Sequence, residues 1–190
     1  VGGILASILL AGCSDAPPRP LHLTPAPTHT AEQQVPPAPR EISLRSTDSE
    51  VLASATAAFS GYVAASDQLS ANPHLGLRTL APWVTHDMYL AESADFDRSV
   101  KSGERLVGAT RLSQFVVQGK PRQMGTELLV NLFVCMDISD VAHVGASGEK
   151  LPRTGPLVTF VVRVVLAQSP ATAHRLAVKE VDGWARADHC

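Results

Sequence analysis

From Thr47 onward the apolar positions of the chain fall first at helical and then at strand spacing. Val51, Leu52, Ala55, Ala58, Phe59, Tyr62, Val63 and Leu69 recur at three- and four-residue intervals, which places them on one face of a helix. Just ahead of them, Thr47-Asp48-Ser49-Glu50 reads as a capping box, with Thr47 as N-cap and Glu50 reaching back. Asn72-Pro73 ends the helix, because proline disfavours helical geometry in the residue before it. Two shorter helical pieces are predicted next. One runs over about residues 74 to 81 with Leu75 and Leu80 as its stripe, the other over about 85 to 100 with Met88, Tyr89 and Phe96; Pro82 divides them and Trp83 follows it.

After Gly103 the period becomes two and β-branched residues dominate. Strands are predicted at about 106 to 117, 126 to 138, 157 to 167 and 174 to 187, with turns at Gly119-Lys120-Pro121, Ser147-Gly148 and Ser169-Pro170. Helices first and strands afterwards argue for an α+β fold with segregated layers. In the second strand Leu128, Val130, Leu132 and Val134 face one way, while Glu127, Leu129, Asn131, Phe133 and Cys135 face the other. Both faces are largely apolar, so one is expected under the helices and the other against a cavity or a partner.

The first forty residues belong to neither pattern. Gly2 to Leu10 is apolar but for Ser7, and the small residues Ala11-Gly12 precede a cysteine. Leu10-Ala11-Gly12-Cys13 resembles the bacterial lipobox, which implies a diacylglyceryl group on the Cys13 thiol and cleavage just before it. The departure is that no Lys or Arg precedes the apolar run and the chain begins with Val, as a GTG start codon or a start placed too late would give. The alternative is a buried N-terminal helix ending in a free core Cys. From Ser14 to Arg40 come Pro17, Pro18, Pro20, Pro25, Pro27, Pro36, Pro37 and Pro39, a composition that favours extended polyproline II over helix or sheet. At about 3.1 Å per residue this disordered stalk reaches roughly 80 Å. The expected organisation is a signal peptide over 1–12, a lipid anchor and proline-rich linker over 13–45, and one domain over 46–190.

Charge narrows the partners. A formal net charge of −2 and a pI near 6.4, with the 16 Lys and Arg scattered, provide no basic field for nucleic acid. No stretch approaches the roughly 20 apolar residues that span a bilayer. Contact with a lipid bilayer is therefore expected through acylated Cys13, two acyl chains being about what stable anchoring takes, and the domain is expected on the extracytoplasmic face of the cell membrane.

A long helix, two shorter ones and a meander of antiparallel strands resemble the NTF2-like cone, in which N-terminal helices pack on a curved antiparallel sheet. Cys135-Met136-Asp137 closing a strand, Gly148 in a hairpin turn, Asp182-Gly183-Trp184 in the last strand and a Cys near the C-terminus carry a more specific resemblance. Over Gly103 to Cys190 the chain resembles secreted lipoproteins of actinobacteria that end in such a domain. The loop from Ser139 to Pro156, with Leu151-Pro152-Arg153-Thr154-Gly155-Pro156, departs from that pattern.

With Cys13 acylated, Cys135 and Cys190 remain in an exported protein, where disulfides persist, and they are expected to be bonded. Strands two and four flank strand three and lie about 9.6 Å apart, whereas a disulfide needs Cα atoms within about 6.8 Å. The tail after Arg186 must then bend beneath the start of strand three.

The resemblance also raises chemistry. Ketosteroid isomerases and polyketide cyclases of the NTF2-like group place carboxylates and a Tyr inside the cone, and the comparable residues here are Tyr62, Asp67, Asp87 and Asp137. Tyr62 and Asp67 are five residues apart and do not share a helix face cleanly; Asp137 serves equally well to close a turn. Tyr62, Trp83 and Asp137 are the candidate cavity residues, with Trp83 and Trp184 weighted toward the core or its rim. No catalytic residue is assigned. The histidines His22, His29, His74, His86, His143, His174 and His189 contain no i, i+4 pair, and there is no Cys-x-x-Cys, so neither metal nor cofactor is expected. Gly-x-Ser-x-Gly is absent, and the glycines near Gly103 and Gly108 lack the Lys-Ser/Thr of a phosphate loop. The expectation is a non-enzymatic, membrane-anchored lipoprotein whose domain binds a small molecule or a protein. The alternatives are a SnoaL-like isomerase or cyclase with a carboxylate in the cone, and a structural wall-spanning module.

Overall fold

A computed structural model describes residues 40–153, 158–184 and 190. The lipobox with Cys13, the prolines before Arg40, and the expectations that fall on residues 154–157 and 185–189 lie outside the described residues.

Helix α1 spans Asp48–Ala71 and begins with the capping box: the Thr47 hydroxyl accepts from the Glu50 N–H while a Glu50 carboxylate oxygen accepts from the Thr47 N–H at 2.8 Å. It stops where Asn72-Pro73 demands. The segment expected as a helix over 74–81 forms instead two single 3₁₀ turns, Pro73–Leu75 and Leu77–Thr79. Gly76 between them sits at φ +75°, a left-handed value that no continuous helix passes through. Helix α2, His86–Ser102, takes Thr85 as N-cap and ends at Gly103 in the left-handed conformation.

Six strands follow: β1 Arg105–Val107, β2 Arg111–Met124, β3 Glu127–Asp137, β4 Ala142–Val144, β5 Thr159–Gln168 and β6 Leu176–Trp184. The first expected strand is thus broken in two. At Gly108 (φ +136°) an added Cβ would lie 2.2 Å from the Asp140 carbonyl oxygen, and this close approach lets the chain leave β1 and enter β2. The turn expected at Gly119-Lys120-Pro121 is a bulge inside β2, where the register with β3 shifts between Gln118 and Arg122; the chain turns at Gly125 (φ +60°) instead. β2, β3, β5 and β6 form one antiparallel sheet in that order, and β1 pairs with β4 as a separate two-stranded ribbon.

The core lies between α1 and one face of the sheet. Val51, Ala55, Ala58, Phe59, Val63 and Leu69 of the helix meet Leu128, Val130, Leu132 and Val134 of β3, Val162, Val164 and Leu166 of β5, and Leu176 and Val178 of β6. This is an α+β fold with its helices on an antiparallel sheet. Trp83 packs against α1 at Gly61, where a Cβ would stand 2.0 Å from the indole ring, and its backbone with that of Thr85 pins the edge of β6: Val178 N–H donates to the Trp83 carbonyl and Thr85 N–H to that of Val178.

The packed unit also takes in residues that a boundary at 46 leaves to the linker. Ile42 is buried, its backbone N–H and C=O both bonded at 2.8 Å by the buried Gln168 side chain, and the Ser54 hydroxyl donates to the Arg40 carbonyl. Gln168 thus supplies the bonds a neighbouring strand would, at the end of β5 remote from Thr159.

On the opposite face of the sheet Arg163 bridges Glu180 and Asp182, and Lys179 pairs with Glu127 at 2.7 Å. Cys135 and Cys190 stand there as a disulfide-capable pair, their Cα atoms 5.7 Å apart and well within bonding range.

Candidate functional site

Two adjoining cavities, of about 490 and 380 Å³, open where the second half of α1 passes α2, the β1/β4 ribbon and the Asp137 end of the sheet. Ser66, Ser70, Leu106 and His143 line both. The last two do so because the ribbon register sets Leu106 opposite His143. Behind the ribbon the walls are apolar: Leu69, Leu77, Leu80 and Phe96 in the larger cavity, Phe59, Val63, Met136 and Val181 in the smaller.

Helix α2 is the loosest wall. None of its residues is fully buried, and Met88, Tyr89 and Phe96 pack on the core only in part. A hydrogen bond latches it to α1: the Tyr62 hydroxyl donates to Glu92 at 2.5 Å. Burial first, and then the adjacent Glu92 carboxylate, push the Tyr62 phenol far above its ordinary range, so it is a proton donor in that bond and not a base.

The other carboxylates around the cavities are also engaged. Asp67 accepts from both the N–H and the hydroxyl of Thr110, at 2.7 and 2.9 Å; burial raises its pKa and the two Thr110 bonds oppose that rise. Glu104 faces His143 at 3.1 Å across the ribbon, and Asp95 pairs with Arg98 at 2.9 Å where α2 borders the larger cavity, both side chains exposed. Arg153 spends its guanidinium on the carbonyls of Ile138, Ser139 and Val141, fixing the loop beyond β3. The Arg105 side chain, half-buried on β1, has no ion-pair or hydrogen-bond partner among the described residues.

Of the three cavity residues expected from the sequence, Tyr62 lines the smaller cavity, and Trp83 and Asp137 are not among the residues that line these two. Trp83 is held against Gly61. Asp137 lies between Met136 and Ile138, which do face the cavity, so strand alternation turns it away. Its carboxylate accepts from the Ser139 N–H at 2.8 Å and from Arg111 at 2.9 Å, which hold its pKa down at about 2. Asp87 is exposed in the first turn of α2.

The carboxylate beside Tyr62 is therefore Glu92, which sequence reasoning missed. Its signal is a charge on the inward stripe Met88, Tyr89, Glu92, Phe96, at helical spacing among the residues that pack on the core. Among the described residues no three His, Cys, Asp or Glu side chains stand together as a metal site, and no helix is long and apolar enough to cross a membrane.

Helices on one face of a four-stranded antiparallel meander, with an open end bounded by a small ribbon, define the architectural class: an α+β cavity-bearing domain. No protein-family model matches the chain, and no curated protein does. Among solved structures it is similar to the intermembrane space region of the chloroplast protein ARC6, with a TM-score of 0.51 and 14% identity over 74% of this chain and 99% of that one. A periplasmic fragment of TraM also aligns, with a TM-score of 0.39 and 11% identity over 66% of this chain and 96% of that one. The first of these likenesses is one of fold.

Proposed function

We propose that the protein is a lipid-anchored, extracytoplasmic lipoprotein whose NTF2-like domain binds a small molecule at the open end of its cone without transforming it. The observation that carries the non-enzymatic reading is that the carboxylates at the cavities already have internal partners: Glu92 has Tyr62, Asp67 has Thr110, Glu104 has His143 and Asp95 has Arg98. General acid or base work needs a carboxyl free to meet the substrate proton. The long capped helix on a four-stranded meander supports the NTF2-like assignment, and the extracytoplasmic setting rests on the lipobox, with Cys135 and Cys190 bonded after export. A domain of related fold in a space between two membranes, as in ARC6, is in keeping with that setting. The rival, a SnoaL-like enzyme, draws on the Tyr62 and Glu92 pair; it requires that a substrate break their bond.

Two experiments test the proposal. Metabolic labelling with a tagged fatty acid marks the protein and fails in Cys13→Ala; label that survives the change overturns the anchor. An environment-sensitive apolar dye such as bis-ANS binds the folded protein, and Ser66→Trp, which fills the wall common to both cavities, weakens binding about tenfold or more while circular dichroism stays native. Unchanged dye binding in that variant overturns the cavity as the binding site.

A further inference from the structure

The larger cavity has unequal demands at its polar wall. Its acids are matched as described, whereas Arg105 is not: half-buried on β1, it lines the cavity with no carboxylate or carbonyl against its guanidinium among the described residues. Arg98, the other arginine there, is exposed and already paired with Asp95. Removing a cation part-way from water without a partner is unfavourable, and a guanidinium offers a rigid fork that matches carboxylate or phosphate. Ser66 and Ser70, one turn apart on the same face of α1, add two hydroxyls that likewise have no hydrogen-bond partner among the described residues. Apolar side chains stand beside these donors, with Leu69 and Leu80 buried behind and Phe96 and Leu106 at the sides, on a lining that also carries polar residues. A volume of about 490 Å³ falls in the range typical of small-molecule sites.

We infer that this cavity takes an amphipathic anion. Its carboxylate or phosphate head meets Arg105 and the hydroxyls of Ser66 and Ser70, and its apolar body lies along Leu69, Phe96 and Leu106. Glu92, Asp95 and Glu104 share this lining, and each already has an internal partner, in Tyr62, Arg98 and His143 respectively, so Arg105 is the charged group left to meet the head. The inference deepens the cavity reading above and rests on it.

The test uses the full chain carrying Cys13→Ser, so that no acyl group is attached, and titrates it by calorimetry with decanoate, decyl phosphate, decyltrimethylammonium and decyl maltoside below their micellar concentrations. The two anions are expected to bind about tenfold more tightly than the cationic and neutral probes. Arg105→Gln should erase that preference and Arg98→Gln should leave it intact. Equal binding of all four probes, or a preference that survives Arg105→Gln, overturns the anionic head and leaves cavity binding standing; failure of every probe overturns both. Co-sedimentation with phosphatidylglycerol vesicles in place of free-probe binding overturns the inference in favour of a headgroup contact at a membrane surface.

Discussion

Asp137 and Asp67 lie toward the same end of the sheet and respond to pH with opposite sign. The Asp137 carboxyl titrates at about 2 in the folded chain against an ordinary 3.8, because the Ser139 N–H and then Arg111 favour the charged form. Its contribution is complete above about pH 4 and is lost as pH falls toward 2. Burial raises the pKa of Asp67, so the folded state holds that proton more tightly than the unfolded one, and this group opposes folding increasingly as pH rises above 3.8. Urea denaturation of Asp137→Asn between pH 6 and 2 should therefore show a shallower acid loss than the parent protein. An identical slope in the two would remove Asp137 from the account. Its role was hard to see in sequence, since an Asp closing a strand serves a turn or a cavity equally well and only the register against Arg111 decides.

At the scale of elements, the helix-capping and strand-alternation patterns were legible because they are local. Thr47 and Glu50 mark the start of α1, Asn72-Pro73 its end, and the alternating run of β3 shows its core face directly. What escaped were contacts across sequence: the ribbon formed by β1 and β4, the bulge at Gly119-Lys120-Pro121, and the Glu92 latch thirty residues from Tyr62. That latch bears on motion, since α2 contributes no fully buried residue. Tyr62→Phe removes one half-buried hydrogen bond, which is about 1 kcal/mol. Amide exchange should then quicken along His86–Ser102 while the protected amides of β3 and β5 keep their rates. Quickening spread evenly through the sheet would mean that Tyr62 supports the core and not the helix.

For the whole molecule, the pair Cys135 and Cys190 spans 55 residues of chain. When bonded it should contribute about 4 kcal/mol through restriction of the unfolded chain. Denaturation with and without reductant should reproduce a loss of that order, and Cys135→Ser should be insensitive to reductant; equal stability in both conditions would leave the pair without a stabilising role. At the other end of the sheet the Gln168 side chain holds Ile42, so the chain joins the domain at the far end of β5 from the cavity. The ten residues of β5 separate the two places by about 30 Å along the strand direction. From Ile42 the covalent path enters α1 at Asp48, and α1 carries Ser66 and Ser70 to the cavity. The cavity and the point where the chain joins the domain are thus set at opposite ends of one continuous helix, so a change at either end reaches the other through α1 alone, without a loop between them.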